Sequence, residues 1–401
     1  MSDGIDLLAP MAVDDPHRYL ARWRDRAPIA YSDRHRAWIV MGHPEVAAAF
    51  RDDRLSTERM AGFARRLSGR RAVALAAAME LLEGWMLFHE PPTHTRLRAP
   101  LARQFTPRAT AQLQPRIETI AKELLETMAA DPSPVDLVEA FTHPLPSAVI
   151  AELFGVPDEL RDWLASWSEK FGVVVFGATG RDDYEDVAKA AGEEFADRMG
   201  DLMDRYRRAP ADNLLSLLLA EENRHGGLST TEIVGACSLL LFAGHDTTSS
   251  LLGSATVALL EHPEQADAMR SATTDADLAI EEMLRYESPA KAMMRTVSHS
   301  HDRDGHRFEA GQTVVLAITA ANRDPRVFHS PDRIDLARHP NPHLSFGFGH
   351  HFCLGASLAR LEGRVALPLL LRRFPNLALA GPVRWRPTIS DRSPAAIPVR
   401  Y

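Results

Sequence analysis

Sulfur and lysine are both scarce in this chain: 401 residues include two cysteines, Cys237 and Cys353, and four lysines, Lys122, Lys170, Lys189 and Lys291. Two cysteines in unrelated contexts exclude a disulfide framework, and a reducing cytosol is the expected home. Cys237 lies in the apolar run IVGACSLLLFAG and reads as a small buried hydrophobe. With so few lysines among 46 basic residues, the arginine excess reflects a GC-rich coding genome rather than chemistry. The net charge of −8 leaves no basic surplus for nucleic acid or an anionic membrane. No run approaches the roughly 18 consecutive apolar residues that would span a bilayer. The N-terminus MSDGIDLLAPMAVDDPHRYL lacks the basic and apolar regions of a signal peptide. Repeats, low-complexity tracts and Gly/Ser/Pro-rich linkers are also missing, so one domain is expected over residues 1–401. The expectation is a cytoplasmic protein without nucleic-acid or membrane partners.

Strand signals are few. APIAYS (27–32) and AWIVM (37–41) read as a pair, followed by a helix from Pro44 to about Arg51. QTVVLAI (312–318) and the C-terminal AIPVRY are further strand candidates. Between about 60 and 290 the period is helical, so the chain is mainly α. The clearest helix begins at LSTTEIV, where Ser229 and Glu232 form a capping box and Leu228 can staple against Ile233. Pro263 ends it. Apolar on most faces, it must run through the protein interior. Only HDTTSS (245–250) breaks its hydrophobicity. From about 322 the chain turns irregular as far as FGFGHHFCLG (346–355), and long structureless segments in compact domains are usually functional.

That last stretch holds Cys353. His350 and His351 lie too close to it to share a zinc ion comfortably without further cysteines. A catalytic thiol with a histidine base is open, but two phenylalanines and an apolar helix start suit it poorly. A single thiolate among apolar neighbours and closely spaced glycines suits a haem iron. Gly347 and Gly349 let backbone pass close to a flat macrocycle, and the helix starting near Leu354 would stabilise the thiolate. FGFGHHFCLGASLAR resembles the cysteine-loop signature of the cytochrome P-450 haem-thiolate monooxygenases, matching at Phe346, Gly347, Gly349, His351, Cys353 and Gly355.

The resemblance extends over essentially the whole chain, and it implies a helix-rich triangular prism with a small β-sheet region. It implies haem b as cofactor, with Cys353 as its iron ligand. In EEMLR, Glu282 and Arg285 are three apart on one helix face and resemble the family's structural ion pair, with Arg333 as the expected third member and Arg338 as the competitor. His94 and Arg98 in HTRLR match positions that bind one haem propionate, and Arg295 with His351 should hold the other. AGHDTT (243–248) resembles the oxygen-binding groove. There Ala243 and Gly244 leave room for dioxygen, Thr247 can turn its hydroxyl to the Ala243 carbonyl, and Asp246 relays protons. His245 receives no role. This acid–alcohol pair favours reductive dioxygen activation over direct use of peroxide. Electrons would come from a separate ferredoxin or flavodoxin with its NAD(P)H reductase, docking where Arg103, Arg108, Arg360 and Arg364 gather.

Pocket walls in this family correspond here to Trp85 and Phe88, to Val175 in the apolar stretch FGVVVF, to Leu240 on the long helix, and to Met293. These imply a hydrophobic small-molecule substrate. Lys291, four residues before Arg295, is expected to face the pocket and pair with an acidic group on that substrate, a snorkelling lysine being the alternative. The expected reaction is hydroxylation or epoxidation of a hydrophobic metabolite. A haem-binding sensor or carrier, and oxidative coupling or desaturation on the same scaffold, remain the alternatives.

Overall fold

The computed structural model describes residues 4–64, 67–176, 182–222 and 226–401. It is mainly α-helical with a few small sheets, as expected. The chain forms two compact units. Met1–Ser56, Ala111–Leu145 and Asp246–Tyr401 make the first, Thr57–Thr110 and Pro146–His245 the second.

Every strand among the described residues belongs to the first unit. Its largest sheet comprises β1 (Ile29–Ser32), β2 (Ala37–Val40), β3 (Leu55–Ser56), β4 (Met293–Val297) and β5 (Thr313–Leu316), in the order β1-β2-β5-β4-β3. Only the β2–β5 pair is parallel. The pleat alternates side chains between two buried clusters. Val314 and Leu316 join Ile29, Val40, Phe50 and Leu344, whereas Val315 and Ala317 join Leu7, Leu20, Ile39 and Met41. The helix after the first hairpin runs His43–Ala49, and the C-terminal strand Pro398–Arg400 pairs with Val135–Asp136 and Ala378–Leu379.

The regular elements among the described residues of the second unit are all helices. At the end of the Gly69–Glu83 helix, Gly84 meets Gly235. A Cβ on either would fall 2.6 or 2.4 Å from the other's Cα, so only glycine permits this approach. Trp85 follows at once. Its indole stacks on Phe88 at 5.6 Å, leans on Phe171 and Phe242, and donates its Nε1–H to Ser238 Oγ at 2.8 Å.

The long helix spans Thr230–Leu260 and carries the chain from the second unit into the first. Its capping box is in place: Ser229 N–H donates to Glu232 Oε2 at 2.9 Å, and Glu232 N–H to Ser229 Oγ at 3.2 Å. Hydrogen bonds from Arg96 outweigh the opposing effect of burial and hold the Glu232 carboxyl at about 2.

Candidate active site

The irregular segment after residue 322 is held by charge rather than by secondary structure. Arg285 donates Nε–H and Nη2–H to the two oxygens of Glu282 at 2.7 and 2.8 Å, and both side chains are 0% exposed. Arg285 Nη1 reaches the carbonyls of Asn322 and Pro331 at 3.0 and 2.8 Å. Glu282 also accepts from the Asp335 N–H at 2.8 Å and Asn341 Nδ2 at 3.2 Å. The third charged member is Arg338, whose Nε lies 3.0 Å from Glu282 Oε2. The expectation for Arg333 is therefore corrected. Arg333 offers only its backbone carbonyl, which accepts from Arg285 Nη2 at 3.1 Å. The turn closed by Arg338 N–H on the Asp335 carbonyl brings residue 338, not 333, inward.

The segment delivers the cysteine loop. Asn322, wholly buried, clamps its start: Oδ1 accepts the Leu344 N–H and Nδ2 donates to Ser345 Oγ, both at 2.8 Å. Ser345 Oγ donates on to the Leu284 carbonyl at 2.7 Å. Gly347 and Gly349 have φ of 68° and 75°, left-handed values that carry the backbone round. A Cβ at Gly349 would lie 3.2 Å from the Phe50 carbonyl oxygen. The loop closes with Cys353 N–H on the Phe346 carbonyl at 2.9 Å, and the Ala356–Arg373 helix follows. Phe50 also carries the Arg295 guanidinium at 5.5 Å from its ring centroid. One phenylalanine thus brings together Arg295, on β4, and the loop at Gly347.

Cys353 is half-buried in that loop, whereas Cys237 is 0% exposed and burial drives its thiol far above the ordinary range. Only Cys353 is placed to present sulfur. His351 is half-buried beside it, and Phe346 is buried under the Arg360 guanidinium at 4.5 Å.

Around its middle the long helix changes character. Leu239 to Phe242, His245 and Thr248 are buried, but Ala243, Gly244 and Asp246 are half-buried and Thr247 is exposed. Small and polar residues thus interrupt the burial of the helix at 243–247. Gly244 has an added reason to be small, since its Cβ would meet Ile150 at 3.0 Å. Asp246 Oδ1 accepts from Arg386 Nη1 at 3.4 Å. His245 turns back to the Leu241 carbonyl at 2.9 Å. In the second unit His94 is buried and Arg98 half-buried, one turn apart on the Thr93–Ala102 helix.

Two pocket expectations are corrected. Lys291 is 5% exposed, and its ammonium donates to the Thr388 carbonyl. Its stem lines a small apolar cavity with Leu7, Leu20, Val315 and Ile389. Burial lowers its pKa to about 8, although nearby Asp391 acts the other way. With its charge spent on a carbonyl of its own chain, Lys291 neither faces a substrate nor snorkels to solvent. Trp85, 1% exposed, is an aromatic core residue rather than an open wall. Phe88 and Leu240 are buried and Val175 half-buried, while Met293 packs against the sheet cluster.

The expected docking arginines are partly committed as well. Arg360 donates to Glu281 at 2.6 and 2.8 Å, Arg364 pairs with Asp277, and Arg103 lies 3.6 Å from Glu221. Burial of Glu281 opposes its ionisation, but hydrogen bonds from Arg360 and His343 prevail and hold it at about 2.

A family profile described as Cytochrome P450 matches residues 180–380. The chain is 37% identical over 396 residues to the cytochrome P450 monooxygenase PikC of Streptomyces venezuelae, covering 96% of this chain and 91% of that one. The chain belongs to the cytochrome P450 family. Among solved structures, P450BioI in complex with an acyl carrier protein ligated to hexadec-9Z-enoic acid superposes with a TM-score of 0.87 at 33% identity, covering 97% of this chain and 99% of that one. CalO2 reaches a TM-score of 0.91 at 30% identity, covering 99% of this chain and 98% of that one. Cytochromes P450 bind haem b through a cysteine thiolate, so this chain is an oxygenating oxidoreductase with that cofactor. The residues present fit the group: a cysteine partly open to solvent on a loop that two left-handed glycines turn. No helix among the described residues is long and apolar enough to cross a membrane.

Phe50, Asn322 and Arg386 escaped sequence reasoning. None sits in a recognisable motif, and each acts on residues far away in the chain.

Proposed function

We propose that this cytochrome P450 hydroxylates or epoxidises a hydrophobic small organic molecule of secondary metabolism in the cytoplasm, with electrons from a separate ferredoxin or flavodoxin and its NAD(P)H reductase. The observation that carries the reading is the less buried run of small and polar residues, Ala243, Gly244, Asp246 and Thr247, on a mostly buried helix. When bound, the haem supplies reductive activation of dioxygen, one oxygen atom entering the substrate and the other leaving as water.

The chain's own residues do the rest. Cys353 provides the iron ligand, and the turn at Gly347 and Gly349 keeps side chains out of the macrocycle's way. Arg295 and His351, with His94 and Arg98, hold the propionates by charge-assisted hydrogen bonds. Thr247 presents a hydroxyl to the open side of the helix. Asp246, oriented by Arg386, returns protons to that hydroxyl through water. Largely apolar surroundings at Phe88, Val175 and Leu240 exclude bulk water from the substrate. P450BioI is seen with a carrier-bound acyl chain, so a substrate screen should include carrier-bound as well as free forms.

The test is the carbon monoxide difference spectrum of the dithionite-reduced protein, for wild type and Cys353→His. A strongly red-shifted Soret band in wild type alone is the expected result. Haem binding without that band would remove Cys353 as ligand and the proposal with it. Product analysis then separates hydroxylation or epoxidation from coupling or desaturation.

A further inference from the structure

With Lys291 spent on a backbone carbonyl, a different cation in the second unit lacks an acidic partner among the described residues. Arg59 is half-buried, and its guanidinium lies 4.7 Å from the centroid of the Phe88 ring, which itself stacks on Trp85 with an interplanar angle of 6°. No carboxylate among the described residues pairs with it. Two acids in the same part of the chain have other hydrogen bonds: Glu90 Oε1 accepts the Thr57 N–H and hydroxyl at 2.7 and 3.0 Å, and Glu58 Oε1 accepts the Glu90 N–H at 3.5 Å. Arg198 makes the informative contrast. It lies 5.0 Å over Trp163 but is also paired with Glu194 at 3.4 Å. Burial alone draws the Arg59 pKa below the ordinary arginine value. Arginine does not escape the cost by losing its proton, and a ring face offsets only part of it.

We propose that Arg59 is a substrate-recognition residue that receives the carboxylate of an otherwise apolar substrate. This rests on the monooxygenase reading above and narrows its substrate class to hydrophobic acids. The planar fork offers two parallel N–H donors to a carboxylate, and the Phe88 ring beneath it holds the guanidinium in place.

The test is calorimetric titration of the holoenzyme with 4-phenylbutyrate and with its neutral isostere 4-phenylbutanamide. Wild type should bind the acid about 10- to 100-fold more tightly than the amide, the range for a hydrogen-bonded charge pair. Arg59→Met should abolish that preference with the amide affinity unchanged, and Arg59→Lys should retain part of it. Equal affinity for acid and amide in wild type overturns the proposal, whether or not the variants fold. So does an equal loss of both ligands in Arg59→Met. The carbon monoxide spectrum is read independently, so a missing acid preference with an intact red-shifted band defeats the Arg59 proposal alone.

Discussion

Glu282 and Trp85 are both removed from solvent, and they are held in opposite ways. Glu282, in the first unit, is met by Arg285, Arg338, Asn341 and a backbone N–H, so that every face of the carboxylate has a donor. Trp85, in the second, is met by three aromatic rings and a single hydroxyl. The first arrangement is strongly directional and fixes an irregular backbone in one shape. The second is weakly directional and tolerates adjustment. The charged set thus fixes the irregular segment that leads to Cys353, and the aromatic set packs the interior of the second unit.

The sharpest way to break this comparison is Glu282→Ala, which leaves Arg285 buried without its counter-charge. A loss of about 3–5 kcal/mol is expected, measured by urea denaturation. A smaller loss would mean that the irregular segment holds its shape without the pair. Next comes Lys291→Met. Lys291 titrates at about 8 in the fold against an ordinary 10.5, so below pH 8 it is charged in both states and the fold bears the cost. Between about 8 and 10.5 the folded chain has released the proton and the unfolded chain has not, so stability rises with pH across that window. Methionine should stabilise the protein by on the order of 2–3 kcal/mol at pH 7 and flatten that rise. Thermal melts from pH 7 to 10.5 would show it.

Trp85→Phe should cost about 1–2 kcal/mol through lost packing and a lost hydrogen bond, with no pH dependence, sharpening the contrast with the charged unit. The smallest effect belongs to Arg333→Ala. Only its carbonyl is used, so the change should stay within about 0.5 kcal/mol, whereas Arg338→Ala should cost several times more. If the two variants melted alike, the assignment of the third charge would be wrong.

Several working parts of both units are readable from local sequence. The cysteine loop, the capping box and the Glu282–Arg285 pair each depend on residues a few positions apart, where spacing decides geometry. Which arginine completes that pair does not depend on spacing. Residues 322–345 have no periodicity to say which side chain turns inward, and the Asp335 turn decides it. Lys291 is illegible for a related reason, because its carbonyl partner Thr388 lies 97 residues away. The resemblance singles out Trp85, but whether it lines a cavity or fills a core depends on Phe171 and Phe242 arriving from other helices. The scarcity of lysine makes Lys291 conspicuous, yet its ammonium is taken up by a carbonyl of its own chain.

The Asn322 clamp has one further consequence. Its amide satisfies a backbone N–H and a hydroxyl at the start of the cysteine loop, and that hydroxyl reaches on to Leu284, so the entry to the loop is held by hydrogen bonds within the chain. The entropy of ordering those residues is settled during folding and need not be met again by the cofactor. A preorganised loop of this kind should discriminate against macrocycles of the wrong outline instead of moulding itself to them, and its rigidity, more than the strength of any single bond, would set the selectivity of cofactor loading.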